Sequence, residues 1–168
     1  MKIALVDDEL NQLLHLRKLL AAQLYTLIPD ASHVIDTYRS GKSFLDHWTA
    51  GQYDVIILDI FMGGITGVEV AKEIRRTDPA VKLVFCSRSN EFAAESYQVN
   101  AQYYLVKPAT PGSISNMLQR LNVEMIQLGH RVRGWAVDAF VDGDCIPELI
   151  TCPGGSHLAQ VTVYTFHN

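Results

Sequence analysis

Five polar residues each follow an apolar run with the composition of a buried β-strand: Asp7, Asp8, Asp59, Ser87 and Lys107. Together they supply carboxylates, a hydroxyl and an ammonium. Phosphoryl transfer onto a carboxylate uses this set, because it needs a nucleophile, oxygen ligands for a metal ion, a cation and a hydrogen-bond donor. The five residues can do this chemistry together only if the fold brings them into one pocket.

Three carboxylates in one pocket repel one another and raise each other's pKa unless a cation joins them. Oxygen ligands without histidine or cysteine favour Mg²⁺ or a similar hard cation. The Lys107 ammonium would offset part of the charge and can hold a phosphoryl oxygen. Each residue alone has a plainer interpretation, with Asp7 and Asp8 as caps of the following helix and the others as surface groups. Their joint position after strand-like runs favours the site.

Apolar runs and helical periodicities alternate along the first 128 residues. Strands are predicted at residues 3–6, 33–38, 54–58, 81–86 and 103–106. Helices are predicted at residues 11–27, 43–48, 68–76, 91–98 and 111 to about 128. This alternation predicts an α/β fold, a doubly wound five-stranded parallel sheet with the flavodoxin-like strand order 2-1-3-4-5. The carboxyl ends of strands 1, 3, 4 and 5 then meet at one edge, where the five polar residues converge.

Composition limits the classes of function. The net charge of −4 does not indicate nucleic-acid binding by the chain as a whole. The apolar runs are far shorter than the roughly 20 residues that span a bilayer, and the N-terminus has no signal-peptide pattern. We therefore expect a cytoplasmic protein without membrane association. Cys86, Cys145 and Cys152 are expected to be free thiols.

The composition changes near residue 128. Residues 129–168 hold 5 of the 11 glycines, with two basic and four acidic residues. This acidic balance opposes contact with a nucleic-acid backbone. Residues 161–165 alternate as a strand does. We expect a short irregular or β-rich C-terminal extension after the α/β domain.

Four motifs resemble those of the CheY-like receiver domain of two-component response regulators. They are LVDDE at residues 5–9, LDIFM at 58–62 followed by Gly67, FCS at 85–87 and YLVKP at 104–108. The resemblance implies a receiver domain at residues 1–122, followed by a linker and a truncated or altered output segment at 123–168. It also implies a signalling domain with only self-catalysed phosphorylation and dephosphorylation, not an enzyme.

The resemblance implies a role for each acid of the pocket. Asp59 is the expected phosphoacceptor, which takes the phosphoryl group from a sensor histidine kinase. Asp8, Asp59 and the backbone carbonyl of Phe61 are expected to bind Mg²⁺ directly. Asp7 is expected to bind the same ion through water.

The remaining residues are expected to bind the phosphoryl group and to transmit its presence. Ser87 and Lys107 would hold phosphoryl oxygens, and Tyr104 would turn inward when Ser87 moves. The face of helix 4, strand 5 and helix 5 would then repack to control output, and a homodimer would form through it. Arg88 stands where the family commonly has a small residue, and would narrow access, slow dephosphorylation or add a charge contact. Gly63 stands where proline is common.

Three stretches resemble receivers that precede a LytTR-type DNA-binding domain: residues 59–62, 89–97 and 103–108. In full-length proteins of that branch, transcription regulation would be the output. The tail is too short for a complete domain of that type, so DNA is an expected partner only if an output domain is complete.

Two other functions compete with this interpretation. A flavodoxin-like cofactor-binding module has the same topology, but it needs a phosphate-binding loop where this chain has three acids at residues 7–9. An intact DNA-binding transcription factor needs a basic output domain, and the tail is acidic.

Overall fold

The computed structural model describes residues 1–29, 32–89 and 93–123. Its strands are β1 (Lys2–Val6), β2 (Val34–Tyr38), β3 (Val55–Leu58), β4 (Lys82–Ser87) and β5 (Tyr103–Val106). Its helices are α1 (Leu10–Leu27), α2 (Gly41–His47), α3 (Gly67–Thr77), α4 (Ala93–Gln98) and α5 (Pro111–Arg120). The expected C-terminal extension, with its strand at 161–165, lies outside the described residues.

All five strands run parallel in one sheet, in the order β2-β1-β3-β4-β5. The strand β3 therefore lies between β1 and β4. In the register, Leu58 pairs with Val6 on one side and with Phe85 on the other. The carboxyl ends of these three strands consequently lie side by side. The predicted doubly wound, flavodoxin-like fold is confirmed.

Two hydrophobic layers cover the sheet. In β1, Ile3 and Leu5 face the layer that α1 and α5 cover, whereas Ala4 and Val6 face the layer that α2 and α3 cover. Every residue of β3 is buried, which explains its continuous apolar sequence, since a central parallel strand has no solvent face. The core thus holds the central strands rigidly below the edge where the polar residues lie.

Capping boxes start two of the helices close to this edge. The Thr66 hydroxyl accepts from the Glu69 amide at 3.2 Å, and the Glu69 carboxylate accepts from the Thr66 amide at 2.8 Å. Thr110 and Ser113 exchange the same pair of bonds at the start of α5. Each box satisfies amides that the first turn of a helix leaves free, and so defines where the preceding loop ends.

The helix α5 ends at Arg120, Val123 is helical again after a two-residue turn, and the rest of the helix predicted to about residue 128 lies outside the described residues. Asn122 has a φ of 51°, in the left-handed region, where a right-handed helix cannot continue. The other predicted element bounds agree with the structure within two residues, apart from the predicted start of the fourth helix at residue 91, which lies outside the described residues. Among the described helices, none combines the length and apolarity needed to cross a membrane.

Candidate functional site

Backbone hydrogen bonds continue the sheet past the ends of three strands. The donating amides belong to predicted site residues. The Asp7 amide donates to the Tyr38 carbonyl at 3.1 Å, the Asp59 amide to the Val6 carbonyl at 2.8 Å, and the Lys107 amide to the Ser87 carbonyl at 2.8 Å. These bonds hold the backbone of each functional residue in register with a neighbouring strand. The side chains at this edge are therefore placed by the sheet itself.

Asp7, Asp8 and Asp59 form one acidic cluster at this edge. Each offers a carboxylate oxygen, and the three oxygens lie within 4.8 Å of one another. Asp7 and Asp59 are buried. Backbone amides orient two of the carboxylates: Glu9 donates to Asp7 Oδ1 at 2.9 Å, and Gly63 donates to Asp8 Oδ2 at 3.2 Å. The fold thus brings together the acids that follow the first and third strands.

The Lys107 ammonium lies between two of these acids. Its Nζ is 2.6 Å from Asp7 Oδ2 and 2.9 Å from Asp59 Oδ2, and 4% of the side chain is exposed. Burial acts to lower the pKa of Lys107, but the hydrogen bonds and charges of the two aspartates outweigh it and leave that pKa raised. Lys107 is therefore a permanent cation at neutral pH, in contact with an Asp59 oxygen.

Burial raises the pKa of the Asp59 carboxyl above its ordinary value. The hydrogen bond and charge of Lys107 oppose this effect, and the charge of Asp7 adds to it. One ammonium cannot balance three carboxylates, so the cluster keeps an excess of negative charge. A bound divalent cation would lower the pKa of Asp59 and hold its carboxylate in the ionised, nucleophilic form.

Ser87, at the end of β4, is fully buried, yet among the described residues its Oγ has no hydrogen-bond partner. Buried hydroxyls nearly always have one, because an unpaired polar atom costs free energy away from water. An orphaned hydroxyl at the end of β4, the strand that neighbours β3, indicates a place for a further acceptor. A phosphoryl oxygen is an acceptor of this kind.

The loop between β3 and α3 packs closely against Asp59. A Cβ atom at Gly67 would collide with the carbonyl oxygen of Asp59, so residue 67 must be glycine in this arrangement. The Phe61 amide lies 3.4 Å from Asp59 Oδ1, and the Phe61 side chain is exposed. The role of the Phe61 carbonyl as a metal ligand stays a prediction.

The donor set of the cluster fits a hard divalent cation. Its three carboxylates provide oxygen ligands, and Mg²⁺ typically binds one or two protein carboxylates together with waters and phosphate oxygens. The excess negative charge would be balanced by a bound Mg²⁺ ion. The Ser87 hydroxyl, which has no partner among the described residues, could donate to a phosphoryl group. The same charge opposes a flavin phosphate, the ligand of the flavodoxin-like alternative.

Tyr104 and Arg88 both make contacts that involve the segment after β4. The Tyr104 hydroxyl donates to the carbonyl oxygen of Ser89, in the loop after β4. The Arg88 Nη2 atom lies 2.5 Å and 2.6 Å from the two carboxylate oxygens of Glu9. Arg88 therefore pairs with Glu9 in this structure, and the three consequences expected for Arg88 stay predictions.

Two contacts of the site were not predicted from the sequence. Glu9 and Arg88 are separated by 79 residues, and no local signal pairs them. The amide of Gly63 donates to Asp8, which proline could not do because it has no N–H. The interpretation of Asp7 and Asp8 as helix caps is wrong, since the N-cap of α1 is Glu9 and its side chain makes no capping bond.

Comparison with known proteins places this geometry in a family. The sequence model of the response regulator receiver domain matches residues 3–119. The positive alginate biosynthesis regulatory protein of Pseudomonas aeruginosa is 31% identical over 121 residues, which cover 71% of this chain and 46% of that protein. The chain spans about half the length of several curated relatives that it matches.

Two solved structures share the fold. The response regulator protein TrrA of Thermotoga maritima, in complex with Mg²⁺ and beryllofluoride, is 31% identical with a TM-score of 0.55, over 71% of this chain and 97% of that one. The beryllofluoride-activated DrrB receiver domain is 25% identical with a TM-score of 0.58, over 71% and 95%. The chain therefore belongs to the response regulator receiver family, and residues 3–119 match its receiver domain.

Proposed function

We propose that Asp59 accepts a phosphoryl group from the phosphohistidine of a sensor histidine kinase, and that this event switches the domain. One observation carries the proposal. The buried Asp59 carboxylate shares the Lys107 ammonium with Asp7, beside a buried Ser87 hydroxyl that has no partner among the described residues. A carboxylate nucleophile, a cation and an unused donor then surround one position for phosphorus.

The proposed reaction forms a bond between an Asp59 carboxylate oxygen and phosphorus. The phosphorus–nitrogen bond of the donor breaks, and its electron pair stays on the imidazole nitrogen, which binds a proton. The product is an acyl phosphate. Attack of water on its phosphorus returns the Asp59 carboxylate and releases inorganic phosphate, which resets the domain.

Charge stabilisation is the main task of the other residues. Mg²⁺, held directly by Asp8, Asp59 and the Phe61 carbonyl and through water by Asp7, would supply charge neutralisation at the phosphoryl oxygens. Lys107 already contacts an Asp59 oxygen and can bind a phosphoryl oxygen without crossing the pocket. A bound metal ion would offset the charge of Asp7 and so would allow Lys107 to release part of its contact with Asp7.

Switching follows from the charge that phosphorylation adds, about −1.5 to −2 at neutral pH. The Ser87 hydroxyl gains an acceptor and draws the end of β4 towards Asp59. The Tyr104 hydroxyl donates a hydrogen bond to the carbonyl of Ser89, which lies two residues after Ser87. A shift of the segment after β4 therefore changes the position of the Tyr104 ring. The face of α4, β5 and α5 is the proposed surface for output and for a homodimer.

Exposed apolar side chains next to the pocket support a protein as the phosphodonor. Leu10 is 49% exposed and Leu14 is 55% exposed, one turn apart at the start of α1. Phe61, two residues after Asp59, is 51% exposed. Large apolar side chains that cluster on a surface are typical of a protein-binding site.

Replacing Asp59 with asparagine tests the assignment. The Asp59→Asn variant keeps the size of the side chain but lacks the nucleophilic carboxylate, so acetyl phosphate should not produce an acid-labile phosphoryl label on it. The matched control is Asp46→Asn, which changes an exposed aspartate of α2 and should label like the wild type. Labelling of the Asp59→Asn variant at the wild-type level would refute the assignment.

We further propose that the chain belongs to the LytTR-type branch and that residues 123–168 are a linker and an incomplete output segment. The three LytTR-like stretches and the similarity to the alginate regulator support the branch. Specific binding to DNA requires a complete output domain on this view. A mobility shift of promoter DNA by this chain at physiological salt would contradict it.

A further inference from the structure

The Glu9–Arg88 ion pair joins the loops that follow two different strands. Arg88 directly follows β4, and Glu9 lies between β1 and α1. A single guanidinium nitrogen contacts both carboxylate oxygens, at 2.5 Å and 2.6 Å. The arginine and glutamate side chains are 66% and 44% exposed, so solvent can exchange with the pair and the contact can open.

The sheet order decides what lies beneath this pair. The strand β3 runs between β1 and β4, and Asp59 directly follows β3. Neighbouring strands are about 4.8 Å apart, so β1 and β4 are separated by about 10 Å. A contact between the segments that follow β1 and β4 therefore spans the width of β3, and Asp59 directly follows that strand.

Arg88 is also placed between the two groups of the proposed switch. Ser87, the preceding residue, carries the orphaned hydroxyl. Ser89, the following residue, accepts the hydrogen bond of Tyr104. Any change in the partner of Arg88 therefore acts on the loop that links Ser87 to Tyr104.

A phosphoryl group on Asp59 would compete with Glu9 for this guanidinium. It carries about twice the charge of a carboxylate and offers three acceptor oxygens, and arginine binds phosphoryl oxygens with well-matched geometry. Glu9 has little to retain Arg88, since an exposed ion pair is weak.

We propose that Arg88 is a second phosphoryl-binding cation beside Lys107 and that Glu9 is its partner in the unphosphorylated state. This inference rests on the proposed function of Asp59. Phosphorylation moves Arg88 from Glu9 to the phosphoryl oxygens and releases the contact between the two loops. The Glu9–Arg88 pair thus opposes activation before phosphorylation, and Arg88 supports activation after it.

Partner exchange predicts opposite effects for the two halves of the pair. Arg88→Ala removes a phosphoryl ligand and should weaken binding of beryllofluoride about tenfold. Glu9→Gln frees Arg88 and should strengthen that binding about threefold. In the double variant, Glu9→Gln should have no effect, because it acts through Arg88.

The experiment measures beryllofluoride affinity of the full chain by calorimetry at saturating Mg²⁺, with Mg²⁺ affinity measured separately. Amide resonances of residues 87–89 report whether the loop moves. Lys42→Ala is the matched control, since Lys42 forms an exposed ion pair with Asp46 on α2, and it should leave the affinity unchanged. Arg88→Lys, which keeps the charge, should restore part of the affinity.

Three outcomes would overturn the inference. If both single variants bound beryllofluoride more tightly, the pair would only restrict access to the pocket and Arg88 would not be a phosphoryl ligand. If both bound it with unchanged affinity, the pair would be a structural contact only. If Glu9→Gln still changed the affinity in the Arg88→Ala background, the effect would come from the lost negative charge of Glu9 and not from Arg88. Failure of the wild-type chain to bind Mg²⁺ with beryllofluoride would instead refute the proposed function of Asp59, which separates the two failures.

Discussion

Lys107 contributes to the folded state as well as to the proposed chemistry. It lies between Asp7 and Asp59, and all three side chains are almost fully buried. A buried ion pair adds little stability over an apolar replacement of the whole group, but loss of one partner leaves uncompensated charge. The acidic cluster makes this loss more severe, because the carboxylates then repel one another.

At the residue scale we expect Lys107→Ala to lower the free energy of unfolding by about 3 kcal/mol at pH 7 without Mg²⁺. Because the folded-state pKa of Lys107 is raised, titration of the ammonium leaves its contribution complete below the ordinary value of 10.5 and removes it as pH rises through the raised pKa. Urea unfolding at several pH values measures the difference from wild type.

Protonation of the carboxylates determines how the stability difference between Lys107→Ala and wild type changes at acid pH. Burial raises the pKa of Asp59, so Asp59 takes up a proton at a higher pH than an ordinary aspartate. The difference between Lys107→Ala and wild type should therefore shrink as the pH is lowered from 7 towards 4. Equal stability of the two proteins at pH 7 would contradict the role of Lys107, and Lys42→Ala should show no loss.

At the scale of elements, the β3–α3 loop packs against the backbone of Asp59, one of the three acids of the cluster. Gly67 opens α3, its amide donates to the Ile60 carbonyl at 3.0 Å, and no Cβ fits there. Gly63, in the same loop, has open space around the position of a Cβ and no positive φ. A side chain can therefore be added at residue 63 without a clash, but not at residue 67.

We expect Gly67→Ala to destabilise the fold by about 1–3 kcal/mol, because the added methyl group forces the loop away from the Asp59 backbone. The variant should also bind beryllofluoride more weakly, since Asp59 and the proposed metal ligands move with that backbone. Gly63→Ala keeps its amide and should change stability by less than about 0.5 kcal/mol. Chemical denaturation of both variants tests this, and equal effects would contradict the packing argument.

The first turns of α1 provide the proposed surface for the kinase. We expect Leu14→Ala to slow phosphoryl transfer from the cognate kinase about tenfold, with acetyl phosphate labelling unchanged because the pocket itself is intact. Tyr25→Ala changes a more exposed residue at the far end of the same helix and is the control. An equal loss with both phosphodonors would place the defect in the pocket and contradict a docking role.

At the scale of the whole molecule, the core reaches slightly beyond the family match. The match ends at residue 119, but Leu121 and Val123 are buried in the layer between the sheet, α1 and α5. Val123 lies one residue past the predicted domain boundary at 122. We therefore propose that the folding unit reaches at least to residue 123.

Two shortened chains test this boundary. A chain that ends at residue 125 should keep the thermal stability and beryllofluoride binding of the full chain. A chain that ends at residue 119 loses Leu121 and Val123 and should be less stable by about 3 kcal/mol or more. Equal melting temperatures for the two shortened chains would contradict the boundary.

The fold and the acidic cluster were predictable because both follow from local patterns. Strand-like runs alternate with helical periodicities, and a parallel sheet brings the residues after its strands to one edge whatever the loops do. Their positions after strand-like runs are therefore enough to group Asp7, Asp59 and Lys107.

The contacts across loops could not be inferred in this way. Three features depend on loop paths and rotamers: the pairing of Glu9 with Arg88, the hydrogen bond from the Gly63 amide to Asp8, and the lack of a partner for the Ser87 hydroxyl among the described residues. No periodicity encodes these, because they result from the packing of segments far apart in the chain. The end of α5 at Arg120 is a similar case, since the left-handed Asn122 overrides a helical pattern that continues in the sequence.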